Sequence, residues 1–275
     1  MNLFQIARDN RDALSRRYDA ARNAAGPATS QLERFVAVVQ SEGRLAINQR
    51  STVLLRFLAL AGAYHNIYEW AEELERRVGQ PRDGLLRERL KSFYDRRIAF
   101  DRCLDQGERL RYGALNLGGL GAVHFGAYCV VLRETFAAGL ADLAYLWADS
   151  LDTYILPGCV VDEIGLRRDA CPHSHRQFLA ALKHGAEAAA LPEDRWPTLV
   201  CSRHGFIEAI FVGNPVPGDV HVVRMEQLDY ELYSSFLIDA ALGRLSGSDR
   251  HLVEELDTIL SLLEKGSIPL ETVAA

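Results

Sequence analysis

The chain changes texture at Arg111, and that change limits the fold more than any other feature of the sequence. Tyr112-Gly113-Ala114-Leu115-Asn116-Leu117 is a short run closed by Gly118, Gly119 and Gly121, and Val123 to Leu132 is rich in β-branched and aromatic residues. Both read as strands joined by a glycine turn. Three more strand-like runs follow: Thr198 to Ser202, Phe206 to Val212 and Asp219 to Val223. Asn214, Pro215, Pro217 and Gly218 supply the turn between the last two.

The flanks have helical texture. Residues 1 to about 110 read as helices, beginning with Ser30-Gln31-Leu32-Glu33 as a capping box and Gly43 as its stop. Further helices are expected from Ser51 to Ala61 with Gly62 as the stop, from near Asn66, and from Asp83 to Cys103. His173 to Ala190 is an inserted helix. The tail from Glu226 to Gly266 is helical again, with Leu252, Leu256, Ile259, Leu260 and Leu263 on one stripe. Helices, then strands with an inserted helix, then helices point to an α+β fold rather than a βαβ winding. The expected organisation is a helical region over 1–110, a β-rich core over 111–225 and C-terminal helices over 226–275.

Composition excludes several function classes. Among 275 residues, 48 % are hydrophobic and 25 % charged, which is ordinary globular usage and not that of a disordered chain. A net charge of −6 does not favour binding a nucleic-acid backbone. The apolar runs are broken too early for a membrane span. Five cysteines without a CxxC argue against a disulfide scaffold and for a reducing compartment. The first residues lack a basic head and apolar stretch, so no signal peptide is expected. The location read from this is cytoplasmic, or secreted into a host cell without a classical signal.

Four constellations bear on chemistry. Gly118-Gly119-Leu120-Gly121 has glycines suited to a phosphate loop, but His124 stands where a GxGxxG needs its last glycine, and a strand follows rather than a helix. A tight turn is the better reading. Cys171, His173 and His175 could ligate a metal, yet they lack the separated partner pair that zinc usually has, so no metal is assigned. Cys129 or Cys159 with His204 could form a thiol–imidazole pair, but nothing marks an activated thiolate. Glu208 is the most informative. Alternation puts it on one strand face with Phe206, Ile210 and Val212, where a carboxylate must be paired, line a cleft or lie at an exposed edge. In a cleft it is a catalytic candidate.

Taken together, Arg111-Tyr112-Gly113-Ala114-Leu115-Asn116-Leu117, the glycine turn, His124-Phe125-Gly126-Ala127-Tyr128-Cys129-Val130-Val131-Leu132-Arg133, and Phe206 to Gly213 resemble an uncharacterised bacterial family with a "YGALNL" signature and a later "YvEAqvhG" strand. Gly62 to Glu69 resembles an upstream stretch of that family. The layout in turn resembles the ADP-ribosyltransferase superfamily, its poly(ADP-ribose) polymerase-like subclass in particular. The resemblance implies a split antiparallel β core and NAD as a substrate. It makes Glu208 the catalytic carboxylate and packs Tyr112 against the nicotinamide. Gly113, Asn48 and Arg50 would lie at the cofactor, with Asn48 standing where the family has a first-strand histidine. The implied function is transfer of ADP-ribose to a protein target, as a bacterial effector or toxin. The alternative is a non-catalytic interaction protein on a degenerate form of this fold.

Overall fold

A computed structural model describes residues 1–59 and 64–274. Among them, eight strands form one sheet in the order β10-β9-β3-β1-β2-β8-β4-β7. The strands are β1 (Arg44–Gln49), β2 (Arg111–Asn116), β3 (Tyr128–Leu132), β4 (Leu143–Leu146), β7 (Cys171–Pro172), β8 (Glu208–Phe211), β9 (Val220–Glu226) and β10 (Leu270–Val273). A separate two-stranded ribbon joins β5 (Ile155–Leu156) to β6 (Val160–Val161). Neighbours in the large sheet are antiparallel except β9 and β10, which run parallel. Helices stand before, between and after the strands, so the fold is mixed α+β with helical regions at both ends. No helix among the described residues is long and apolar enough to cross a membrane.

The centre of the sheet comes from the region with helical texture. β1 lies between β2 and β3, pairing Arg44–Ala46 with β2 and Ala46–Gln49 with β3. At the far end β10, beyond the last helix, pairs with β9. The 111–225 span therefore borrows its middle strand and an edge strand from either side.

Alternation gives the sheet two different faces. Leu45, Ile47, Leu115, Ala209, Phe211, Val130 and Val223 point to the larger core, beneath the helices Thr29–Glu42, Arg176–Ala190 and Gly247–Lys265. Tyr112, Ala144, Leu146 and Ile210 point to a second core, covered by Leu3–Asp9 and Tyr94–Cys103. With both faces covered, the inner strands can be apolar on both sides.

Several local expectations are corrected. The helix Thr29–Glu42 starts one residue before Ser30 and has no side-chain cap; it does stop at Gly43. A Cβ on Gly43 would lie 2.4 Å from the Val39 carbonyl oxygen, so that end needs glycine for space. The capping box is at Asn66, whose side chain accepts from Tyr68 and Glu69 backbone N–H groups while Glu69 accepts from the Asn66 N–H. The single helix expected over 83–103 is two helices, Arg82–Leu90 and Tyr94–Cys103, broken at Lys91, which has φ of +50°. Thr198 to Ser202 is not a strand. Pro197 sits in the first turn of the helix Trp196–Val200, where its missing N–H costs nothing, and the Trp196 indole donates to the Ala188 carbonyl at 3.0 Å. The helix begun at Ser51 is described to Ala59; its expected stop at Gly62 lies outside the described residues.

Candidate site beneath the Tyr94–Cys103 helix

Tyr112 and Glu208 meet because β2 and β8 are neighbours. Tyr112 lies opposite Ile210, and Ala114 opposite Glu208, so both candidate side chains project from the same face. The helix Tyr94–Cys103 crosses above them. Arg97 and Asp101 are one turn apart on it and therefore point the same way. The Arg97 guanidinium carbon lies 3.7 Å from the centre of the Tyr112 ring, and its Nη1 is 3.7 Å from Asp101 Oδ1. The Tyr112 hydroxyl donates to Asp101 Oδ1, and the Tyr68 hydroxyl donates to Asp101 Oδ2 at 2.7 Å.

Glu208 is 3 % exposed. Its Oε2 accepts from the Ser150 backbone N–H at 2.8 Å. That N–H belongs to the first turn of the short helix Ser150–Thr153, which Asp149 caps by accepting from Leu151 and Asp152 N–H groups. Burial, reinforced by the Asp149 charge, pushes the Glu208 carboxyl up to about 8 against the pull of Arg97 and the Ser150 donor. Glu208 thus holds its proton at neutral pH in this arrangement. Burial opposes the Arg97 charge, but Tyr112, Asp101, Glu208 and Asp149 together hold it above the usual arginine range. Burial likewise raises the Asp101 carboxyl, with Arg97 and the two tyrosine hydroxyls opposing it, and raises the Tyr112 phenol.

The edge beside Glu208 is braced from the other side. The Lys183 ammonium donates to the carbonyls of Trp147, one residue past β4, and of Phe206, two residues before Glu208, the latter at 2.9 Å. Burial pushes Lys183 down to about 8. His184 bonds the Gly205 carbonyl at 2.8 Å, and burial pushes it down to about 4, so it is neutral.

The other candidates lie apart. Asn48 shares the face of Tyr112 and Glu208, because Ala46 lies opposite Ala114. Its Nδ2 donates to the Leu120 and Gly126 carbonyls at 2.9 and 3.0 Å, and its Oδ1 accepts from Ala122 N–H at 2.8 Å. The side chain thus holds the glycine turn, where Gly118 and Gly121 have φ of +92° and +67°. That turn opens only the short 3₁₀ turn Val123–Phe125. Gly113 carries no side chain for a ligand to meet; a Cβ there would lie 2.4 Å from the Ala46 carbonyl oxygen. Arg50 is exposed just beyond β1 and lines a groove with Tyr128 and Met225, residues of the opposite sheet face.

Cys171, His173 and His175 do not converge. Cys171 is buried in the edge strand, its thiol raised by burial. His173 bonds Glu134 at 2.9 Å and Tyr145 at 3.1 Å, whereas His175 bonds Ser174. Among the described residues no group of three or more His, Cys, Asp or Glu side chains could hold a metal ion. Burial also raises the Cys129 thiol, far from thiolate character. The sequence alone gives no reason to set Arg97, Asp101 and Asp149 beside Tyr112 and Glu208. The i,i+4 spacing of Arg97 and Asp101 was the available signal, but it is shared by many solvent-facing pairs. In comparison with known proteins, no family model, no curated protein and no solved structure matches this chain.

Proposed function

We propose that this chain is an ADP-ribosyltransferase-like protein that takes NAD as a substrate and modifies a protein target, with Glu208 as its catalytic carboxylate. One observation carries the reading: neighbouring strands β1, β2 and β8 present Asn48, Tyr112 and Glu208 on one face. Departure of nicotinamide builds positive charge on the ribose, as in glycoside cleavage. A fixed carboxylate favours that charge in the transition state, and an aromatic face positions the leaving ring. In the arrangement described, the Arg97 guanidinium takes the Tyr112 ring face and Glu208 is sealed in its protonated form. Turnover therefore requires the Tyr94–Cys103 helix to move. Opening would also wet Glu208 and bring its carboxyl back toward the ionised form. Such a protein would act as an effector or toxin, in the cytoplasm or delivered to another cell.

The test is incubation with NAD while following nicotinamide release, with Glu208→Gln alongside. Release that disappears in the variant supports the assignment; equal release in both removes Glu208 from the site. The seat of Arg97 on Tyr112 favours a second reading, a non-catalytic interaction protein on the same scaffold. That reading requires no saturable NAD binding by calorimetry and no nicotinamide release.

A further inference from the structure

The C-terminal helices Gln227–Ala241 and Gly247–Lys265 carry two unusual features together. The first is charge. They hold eight Asp and Glu against one Arg and one Lys, a net of −6, which equals the net charge of the whole chain. The rest of the protein is balanced. Gln227–Ala241 has no basic residue at all.

The second is a set of exposed aliphatic side chains. Leu228, Leu232, Ile238 and Leu242 are 66 %, 51 %, 63 % and 55 % exposed. At 3.6 residues per turn they fall within an arc of about 120°, which Glu231, Ser235 and Asp239 share. Of these, Leu232 lines a groove of about 430 Å³, together with Tyr128, Met225, Tyr233, Leu252 and Leu256. Asp229 and Glu255 stand at the same groove, against the single guanidinium of Arg50. Leu252 begins the stripe that Leu256, Ile259 and Leu263 continue into the core, so the apolar seam of the last helix runs out into this groove. Exposed leucines at the rim of an apolar groove, with carboxylates among them, mark an interaction site.

The charge selects the occupant. A second copy would bring the same −6 against itself. An anionic bilayer or a nucleic-acid backbone would meet like charge. A cationic partner alone gains from both features. We infer that these two helices form a docking surface for a basic amphipathic helix of a partner protein, its apolar stripe laid along Leu228, Leu232 and Leu252 and its Lys or Arg side chains toward Asp229 and Glu255. This is helix-in-groove recognition, in which a third helix fills the furrow between two others. The groove opens on the sheet face opposite Glu208, so the inference is independent of the chemistry proposed there.

The test uses the full chain with an 18-residue amphipathic peptide of Leu and Lys, and its Leu/Glu counterpart, followed by fluorescence anisotropy. The Leu/Lys peptide should bind saturably at one per chain and weaken at least tenfold from 50 to 500 mM salt; the Leu/Glu peptide should not bind. Leu228→Asp and Glu255→Lys should each weaken binding tenfold or more. Glu187→Lys, the same charge change on an exposed site of the helix Arg176–Ala190, should leave it within twofold. Leu228 is largely exposed, so Leu228→Asp should keep the circular dichroism spectrum and melting temperature of the parent. Any of four results would overturn the inference. These are no binding of the Leu/Lys peptide, equal weakening by Glu187→Lys, a dimer that Leu228→Asp converts to monomer, or binding to neutral phosphatidylcholine vesicles that Leu228→Asp abolishes.

Discussion

Replacing Glu208 by Gln should change how stability responds to pH. The carboxyl is nearly fully buried and is pushed from an ordinary 4.5 to about 8, by burial first and by Asp149 second. An acid whose folded-state value is raised binds more protons folded than unfolded. Its contribution is full below the unfolded value and is lost as pH rises through the folded one. Between pH 5 and pH 7 the unfolded chain gives up this proton while the folded chain keeps it, which costs the parent about 2.5 kcal/mol. Gln has the same shape, keeps an oxygen to accept from the Ser150 N–H and does not titrate. The variant should therefore lack this loss and, relative to the parent, gain about 2.5 kcal/mol on going from pH 5 to pH 7. That is a large share of the 5–15 kcal/mol total of a typical domain. Urea unfolding at pH 5, 6 and 7 would show the gap as a midpoint difference widening by roughly 1 M. Parallel profiles would refute the reasoning, since Glu208 would then be solvated like a surface carboxylate. A parent that gains stability over the variant as pH rises would show that Arg97, not burial, sets the protonation.

Other outcomes follow from the same geometry. Arg97→Met leaves Asp101 and Asp149 without their shared cation and should cost about 3–5 kcal/mol by thermal melting, with Asp101→Asn in the same chain recovering part of it in a double-mutant cycle. Asn48→Ala strips three hydrogen bonds from the glycine turn and should cost about 2–3 kcal/mol, with faster hydrogen exchange at the Ala122 amide. His184, buried and pushed down to about 4, refuses a proton that the unfolded chain takes up near 6.5. Stability should therefore fall by about 3 kcal/mol as pH drops from 6.5 through 4, and His184→Gln, which can still donate to the Gly205 carbonyl, should flatten that limb.

Glycine and alternation made β2, β3 and β8 legible, because those signals are local, but the run read as a strand from Val123 opens on the 3₁₀ turn Val123–Phe125, and β1 lies between β2 and β3. β1 was not legible as a strand from texture: Arg44–Gln49 directly follows a well-formed helix and is six residues long. Its identity depends on pairing with residues 68 to 85 positions away in sequence. β4 and β7 are short and apolar or interrupted by Pro172, so only their partners make them strands. Thr198 to Ser202 misled in the opposite direction, since its β-branched residues outweighed the Pro197 start signal.

The burial of Glu208 could not be read from alternation, which fixes the face of a side chain but not what covers that face. Here the groups set against it are Arg97, more than a hundred residues earlier, and the Asp149–Ser150 turn. Asn48 shows the same limit with a sharper consequence. Both hydrogens of its amide, and its oxygen, already serve Leu120, Gly126 and Ala122. For this side chain to turn to a ribose or phosphate, it must release the turn it holds. On the proposed function, NAD binding through the first strand and exchange of the Ala122 amide would therefore be linked. If saturating NAD speeds that exchange, Asn48 has left the turn for the ligand. If NAD binds while Ala122 stays protected, the ligand rests on β2 and β8 alone, and Asn48 serves the turn as a structural clamp.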